Sequence, residues 1–356
     1  MTETTTSTAQ RFDLAQVRQT IRTLFGKAGL ADEAAASVTD VLVEADLIGH
    51  ATHGLALVPW YLDAAASGAM RLQGEPEVLV DRGACLTWNG HRLPGAWLAS
   101  KATDLAVERA ATYGTVTVVI RECGHVGALA AYMEKATSRG MMVLMASSTP
   151  SVAGVAPFGG VKAAFTPNPI AAGIPTEGDP ILLDISASIT TLNRARQLAR
   201  DGQQFPAPWV LDKDGNTSTD PAVVVKHGGS LLPVGGLDHG HKGYSLALLV
   251  EALTQGLSGF GRADAPTGTS VSLFIQVIDP SAFGGQDAFA RQTTHLAEVC
   301  RNTPPRPGVD RVRVPGDRAM VSRRQALESG VVLDASILQG LAPWLERHGL
   351  TFPAPL

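Results

Sequence analysis

Apolar positions recur every three to four residues over the first third of the chain, and polar punctuation cuts that pattern into helices. Asp13 and Gln16 read as a capping box that opens a helix running to about Ala28. Asp32 is placed to cap a second helix, which runs to Leu47 and stops at Gly49. Pro59 suits the first turn of a third helix, which ends near Gly68. Stretches 77–80 and 85–88 have strand character, Asn89 and Gly90 form a tight turn, and Pro94 starts a long helix to about Tyr113.

Beyond that point the periodicity changes. The β-branched run 115–120 predicts a buried strand, 127–139 a helix and 141–146 a second apolar strand. That order is a β-α-β unit and predicts a parallel pairing of the two strands. Ligands of such sheets collect beyond the carboxyl ends of strands, which here carry Arg121 to His125 and Ser147 to Pro150. Residues 150–180, rich in Pro and Gly, are too long for a plain connector and read as a functional loop. A strand at 181–185 holds Asp184 near its end, and a helix follows at 190–200. Asp212 to Gly215 is a turn; the stretch 235–243 is a Gly-rich entry to a helix at 244–257. A strand at 270–278, a helix at 286–300, the segment 311–318 and helices near 323–328 and 336–347 close the chain. No internal repeat or low-complexity linker interrupts this order.

Composition narrows the function classes. A chain of 356 residues, 45% hydrophobic and 17% charged, has ample material for two or three domains. A net charge of −4 without a basic run, and 5% aromatic residues, argue against nucleic-acid partners. Cys85, Cys123 and Cys300 are widely separated and odd in number, which predicts free thiols in a reducing cytoplasm. The Thr-rich start has no apolar core and does not read as a signal peptide. No apolar run reaches membrane-spanning length: the best, 244–257, carries Glu251, Thr254 and Gln255.

Candidate chemistry centres on histidine. His50, Thr52 and His53 lie between Gly49 and Gly54, where a helix breaks. A histidine there can shuttle a proton near neutral pH, and the Thr52 hydroxyl can orient its ring; a helix end with two surface imidazoles would show the same residues. Asp184 at a strand end can hold the His53 tautomer, or simply cap the next helix. Lys242 between glycines suits an anionic ligand, or is a solvated lysine. Asp317 and Arg318 after Gly316 offer a carboxylate for ribose hydroxyls and a guanidinium for phosphate, or form a surface turn. His50, His53, His125, His239 and His241 would be the stock of a histidine-metal hydrolase, but no H-E-x-x-H is present, so no metal is expected. G-x-G-x-x-G, Walker A and G-x-S-x-G are all absent, and the stretch from Asp212 fails as a calcium loop because Gly215 falls at its fourth position.

Nine short motifs fall in a telling order: Ala45-Asp46 with Gly49-His50-x-Thr52-His53-Gly54 and Pro59-x-Tyr61; Gly124-His125-x-Gly127; Ala156 to Gly160; Asn168-Pro169 with Ile174-Pro175; Leu183-Asp184; Trp209 to Gly215; Thr219 to Pro221; Gly240 to Tyr244; and Pro315-Gly316-Asp317. In these the chain resembles the malate/L-lactate dehydrogenase type 2 family, which includes sulfolactate, ureidoglycolate and diketogulonate enzymes and piperideine-2-carboxylate reductases. The resemblance covers nearly the whole chain. It implies an α/β fold with a non-Rossmann NAD(P)-binding domain at 116–309 and a mostly helical domain at 1–115 completed by 310–356. It implies a homodimer working on a small-molecule substrate with NAD or NADP, NADPH being favoured if the substrate is an imine.

The same resemblance assigns residues. His53 would be proton donor and acceptor to a 2-oxo or 2-hydroxy acid, or to a cyclic imine or imino acid, with Thr52 and Asp184 completing a relay. His125, Ser148, Thr149, the Asp184 backbone, Lys242, Gly316, Asp317 and Arg318 would hold the cofactor. His50, Leu57, Tyr61, Pro157, Phe158 and Gly159 would line the substrate pocket. Leu57 stands where the family has an arginine, the expected fork for a substrate carboxylate; Lys162 and Arg121 are the replacement cations considered. Thr166-Pro167 replaces the usual Gly-Thr before Asn168, and Asn193-Arg194 the usual Gly-Lys. A non-catalytic ligand-binding relative is the further alternative.

Overall fold

A computed structural model describes residues 9–356. The Thr-rich start, read above as no signal peptide, lies outside the described residues up to position 8. Strand β1 (Gln10–Phe12) leads to α1 (Leu14–Lys27), where Asp13 accepts from Gln16 N at 2.8 Å as its cap requires. Helix α2 (Asp32–Leu47) is followed by two 3₁₀ turns, Ala51–His53 and Leu55–Leu57, and by α3 (Val58–Ala66) with Pro59 in its first turn. Strands β2 (Glu77–Asp81) and β3 (Cys85–Asn89) form a hairpin ahead of α4 (Gly95–Tyr113). Then come β4 (Thr115–Cys123), a 3₁₀ turn Leu129–Tyr132, the single-turn α5 (Glu134–Thr137), β5 (Met142–Ser148), β6 (Pro169–Ile174) and β7 (Ile181–Ser186).

The next stretch is a small excursion. It holds α6 (Leu192–Arg200), β8 (Val210–Leu211), β9 (Thr217–Ser218), α7 (Ala222–Lys226) and β10 (Ser230–Leu231), with the three strands ordered β10-β8-β9. Helix α8 (Gly236–Glu251) runs into a π-helical turn, Ala252–Gly256. Strand β11 (Val271–Ile278), α9 (Gln286–Asn302), α10 (Asp317–Ser329), β12 (Val331–Leu333) and α11 (Ala335–Arg347) finish the chain. β12 pairs antiparallel with β1, so the end of the chain returns to its beginning.

Seven strands make the central sheet in the order β2-β3-β4-β11-β5-β6-β7. The expected parallel pairing of the strands at 115–120 and 141–146 is not found. β4 and β5 run in the same direction, but β11 lies between them, antiparallel to both. The only parallel pair in this sheet is β3 with β4. A strand from about 150 residues downstream had the apolar run, Val271 to Ile278, that best fills the sheet centre. The loop reading of 150–180 fails in part: Pro169–Ile174 is a strand, with Pro169 at its first position, where a ladder tolerates proline. The helix expected at 127–139 is broken into a 3₁₀ turn and one α turn. Ala31, not Asp32, is the cap of α2.

One apolar core joins the helices to one face of the sheet. Val17, Ile21 and Leu24 of α1, Val38 and Leu42 of α2 and Leu341 of α11 share it with Val118, Ile120, Leu273 and Ile275. On the opposite face Val119, Ala146 and Phe274 meet Val250 of α8. At about 25 cal/mol per Å² of apolar surface, such burial holds the helices against the sheet. The turn between α2 and α3 is thereby pinned over the carboxyl end of β4. No described helix is long and apolar enough to cross a membrane.

Candidate active site

The break after α2 is built in steps. Gly49, at φ +84°, ends the helix in the left-handed region that glycine adopts freely. His50 N then bonds Ala45 O at 2.7 Å, and His53 N bonds His50 O at 2.8 Å, closing the first 3₁₀ turn. His53 ends that turn half-buried, and the Thr52 hydroxyl sits 2.9 Å from its Nδ1. No described hydrogen bond engages the other ring nitrogen, Nε2. Burial, then the neighbouring His50, lowers the His53 pKa, so its neutral form is favoured.

His125 comes from the loop after β4. Its ring stacks with that of His53 at 6.1 Å between centroids, 16° apart in plane. Gly127 N donates to His125 Nδ1 at 3.1 Å, so Nδ1 is an acceptor and the neutral ring carries its proton on Nε2. The buried Tyr61 hydroxyl donates to His125 O at 2.8 Å and lies 3.1 Å from Nδ1. Desolvation, with His53 second, pushes the His125 pKa down to about 4. Two neutral imidazoles therefore face one another, with the Trp60 ring edge-on to His125 at 5.4 Å.

Asp184, on β7, is half-buried, and its Oδ2 accepts from Ala130 N at 2.9 Å. Burial raises its pKa, and His50 is the charge that pulls it back. No described hydrogen bond joins Asp184 to His53; its direct partners put it beside His50, on the same wall. β7 is the last strand of the sheet. Leu182 N bonds Pro315 O at 3.0 Å, and beyond it the outer backbone edge, with Ile185 51% exposed, faces no other strand.

The remaining expected residues separate into three places. Ser148 is buried, and its hydroxyl meets Thr254 Oγ1 at 2.7 Å and Gln255 Nε2 at 2.9 Å, both from the π-helical turn. That hydroxyl is engaged inside the protein, whereas Thr149 is half-buried and its N–H bonds Thr166 Oγ1 at 3.2 Å. Gly316 precedes α10 at φ +102°; a side chain there would strike Leu182 N and Pro180 O. Asp317 receives Arg301 at 2.7 Å and Val314 N at 2.9 Å, while Arg318 is exposed. Phe158 is exposed and its ring meets His241 of α8 edge-on at 5.7 Å, with Pro157 and Gly159 on the same loop and Lys242 exposed beside it. The helix begins at Gly236, eight residues before the expected start at 244. Its glycines serve close approach: a side chain at Gly243 would strike the Val234 and Ala187 backbone, and one at Gly240 would strike Phe158.

Leu57, four residues after His53 at the end of the next 3₁₀ turn, is half-buried and packs on the main core. Arg121 lies over the Phe260 ring at 5.7 Å, and Lys162 is exposed. Sequence reasoning passed over Trp60, although it lies inside the Pro59–Tyr61 motif. It also gave Asp46 no role, although Asp46 lies in the quoted Ala45-Asp46 pair. Among the described residues no group of three or more His, Cys, Asp or Glu can hold a metal ion, so a histidine-metal hydrolase finds no donor set there.

Comparisons with known proteins give the chain's relatives. A family model described as malate/L-lactate dehydrogenase matches residues 12–342. L-lactate dehydrogenase of Cupriavidus necator is 32% identical over 327 residues, 90% of this chain and 93% of that protein. The solved malate dehydrogenase of Pyrococcus horikoshii superposes with a TM-score of 0.86 at 26% identity, covering 97% of each chain. The Δ1-piperideine-2-carboxylate reductase of Pseudomonas syringae superposes with a TM-score of 0.82 at 28% identity, covering 94% of this chain and 99% of that one.

Proposed function

The chain belongs to the malate/L-lactate dehydrogenase family of oxidoreductases, and from that premise we propose that it moves a hydride between a nicotinamide and a small 2-oxo or 2-hydroxy acid, with His53 giving or taking the proton. The observation that carries this reading is the stacked, neutral His53–His125 pair. A bound NAD or NADP would give the hydride in its reduced form and accept it in its oxidised form. The chain's own residues do the rest. As a substrate carbonyl becomes an alcohol, the oxygen gains negative charge and protonated His53 neutralises it from Nε2. In the reverse direction neutral His53 takes the hydroxyl proton. Thr52 holds Nδ1 in both directions. The Nε2–H of His125 is a second donor, held by Gly127 and Tyr61. Asp184, beside His50, balances charge on that wall. With the His53 pKa lowered, oxidation by neutral His53 is favoured at neutral pH, and kcat/KM for reduction rises as pH falls toward that pKa.

The cofactor would run from the imidazole pair along the outer edge of β7 to the first turn of α10. Backbone groups around Asp184, Thr149 and Gly316 would bind it, and exposed Arg318 would meet a 2′-phosphate. This is a non-Rossmann mode, supported by a sheet that is mainly antiparallel. Division into a helical unit (1–115 with 310–356) and a cofactor unit (116–309) is supported by the β1–β12 pairing and by Leu341 in the core of α1 and α2. A homodimer would cover exposed Leu248, Leu249 and Leu257 on and after α8. Free Cys85, Cys123 and Cys300 support a cytoplasmic setting.

A second reading, reduction of a cyclic imine or imino acid, is favoured by Leu57 and Trp60. The Trp60 ring sets apolar surface against His125, and Leu57 stands where the family has the cation that a carboxylate would seek. Titrating NADH and NADPH by fluorescence, then assaying lactate, malate and Δ1-piperideine-2-carboxylate, tests both. Binding of either nucleotide, with turnover of at least one substrate that His53→Ala abolishes, is expected. Absence of any nucleotide binding would overturn the proposal.

A further inference from the structure

The turn that carries His53 has an unusual cap. Gly54 ends the first 3₁₀ turn and precedes the second, Leu55–Leu57, so it occupies the N-cap position of that second turn. An N-cap side-chain oxygen normally accepts one of the unpaired N–H groups at a helix start. Glycine has none. The acceptor comes instead from nine residues earlier: Asp46 Oδ2, on the last turn of α2, accepts from Leu55 N at 2.7 Å.

The same carboxyl group dictates the glycine. A side chain at position 54 would place its first carbon against both carboxyl oxygens, with Oδ1 at 2.7 Å and Oδ2 closer still. Asp46 thus fills the volume that any other residue at 54 would need. It also ties the backbone two residues after His53, at Leu55 N, to the last turn of α2. The local bonds of that turn, His53 N to His50 O and Leu57 N to Gly54 O, lie on either side of this contact and span only three residues each. Among the described residues, no other hydrogen bond ties residues 54 and 55 to the body of α2.

We propose that Asp46 is a positioning residue: paired with Gly54, it sets the place of the His53 imidazole relative to His125. Asp46 touches neither His53 nor any reacting atom by a described bond; it acts through the backbone. The idea rests on His53 as the proton donor. A displacement of about 1 Å at a catalytic group can cost about 10²-fold in rate, so a remote cap can matter to turnover far more than to folding.

The test is a double-mutant cycle with an NMR readout. Asp46→Ala is expected to lower kcat by about 30-fold, with cofactor Kd within about twofold of wild type. Asp46→Asn keeps an oxygen that can accept from Leu55 N and is expected to recover kcat to within about threefold. Gly54→Ala alone is expected to cost about 30-fold, but nothing more when Asp46 is already Ala, because the clash has gone. The His53 ring resonances, assigned by comparison with His53→Ala, are expected to move in Asp46→Ala and to return in Asp46→Asn, without cofactor or substrate. Equal losses in Asp46→Ala and Asp46→Asn, multiplicative costs in the double variant, or an unmoved His53 resonance would each overturn the proposal. If His53→Ala turns over normally while the His53 resonance still follows Asp46, the proton-donor reading fails and the positioning contact stands.

Discussion

Two groups of histidines look alike along the chain and are unlike in space. His53 and His125 face each other where the α2–α3 turn meets the end of β4, stacked and half-buried. His239 and His241 sit on α8, both exposed, their rings 6.2 Å apart and the Phe158 ring edge-on to His241. In the first place backbone N–H groups and neutral hydroxyls hold each ring, and burial keeps it uncharged. The difference teaches that histidine count says little here. What sets the first pair apart is a held ring and a lowered pKa, and the groups that hold the rings are near and far in sequence: Thr52, next to His53, and Gly127 and the distant Tyr61 around His125.

The sharpest way to break this contrast is substitution on each side. His53→Ala is expected to lower kcat by about 10²–10⁴-fold, while His241→Ala leaves kcat within about threefold; steady-state kinetics on both, with the same substrate, decides.

Acid sensitivity should also divide the site. His125 has a folded pKa near 4 against an unfolded value near 6.5, so the unfolded chain binds its proton first and stability falls as pH drops through that window. Asp46 is opposite in sign. Burial pushes its pKa up to about 7, so the folded protein takes up a proton first and gains stability as pH falls below 7, until the unfolded carboxylate also protonates near 4. Urea unfolding at pH 7 and pH 4.5 should therefore show Asp46→Asn losing on the order of 2 kcal/mol more than wild type over that drop, and His125→Asn losing on the order of 2 kcal/mol less. Parallel losses in all three proteins would mean that neither group is shielded as described.

Smaller effects sharpen the picture. Tyr61→Phe removes the hydroxyl that serves His125 O and is expected to cost about 1–2 kcal/mol of stability, with kcat down about tenfold. Ser148→Ala should cost about 1 kcal/mol through its lost bonds to Thr254 and Gln255, yet leave nucleotide Kd within about twofold, because that hydroxyl is already spent inside the fold. A large loss of nucleotide affinity in Ser148→Ala would move the cofactor toward α8.

Much of this was legible along the chain. α1, α3, α4 and α11 announced themselves by period, caps and prolines, and the motif around Gly49 to Tyr61 marked the turn that carries His53. What was hidden was hidden for physical reasons. β11 enters between β4 and β5 from far downstream, and no local pattern shows which strand fills a gap in a sheet. β6 begins with proline and continues through Ala171, Ala172 and Gly173, small residues that read as loop; Gly173 is needed because a side chain would strike Met133 and Thr137. The glycines of α8 looked like a loop for an anion, but they let the helix lie close to residues 187 and 234. Asp184 was expected to hold the His53 ring; its described hydrogen bond is from Ala130 N and the imidazole that acts on its charge is His50, a choice of partner that spacing in sequence does not encode.

The central claim is that a pyridine ring lies against the His53–His125 pair. A crystal structure with NAD(H) or NADP(H) and an unreactive substrate analogue measures it directly. The account predicts the nicotinamide C4 about 3–3.5 Å from the substrate carbon, with His53 Nε2 at hydrogen-bond distance, about 2.6–3.2 Å, from the substrate oxygen or nitrogen. A nicotinamide seated instead beside Phe158 and His241, with His53 facing only solvent, would contradict it.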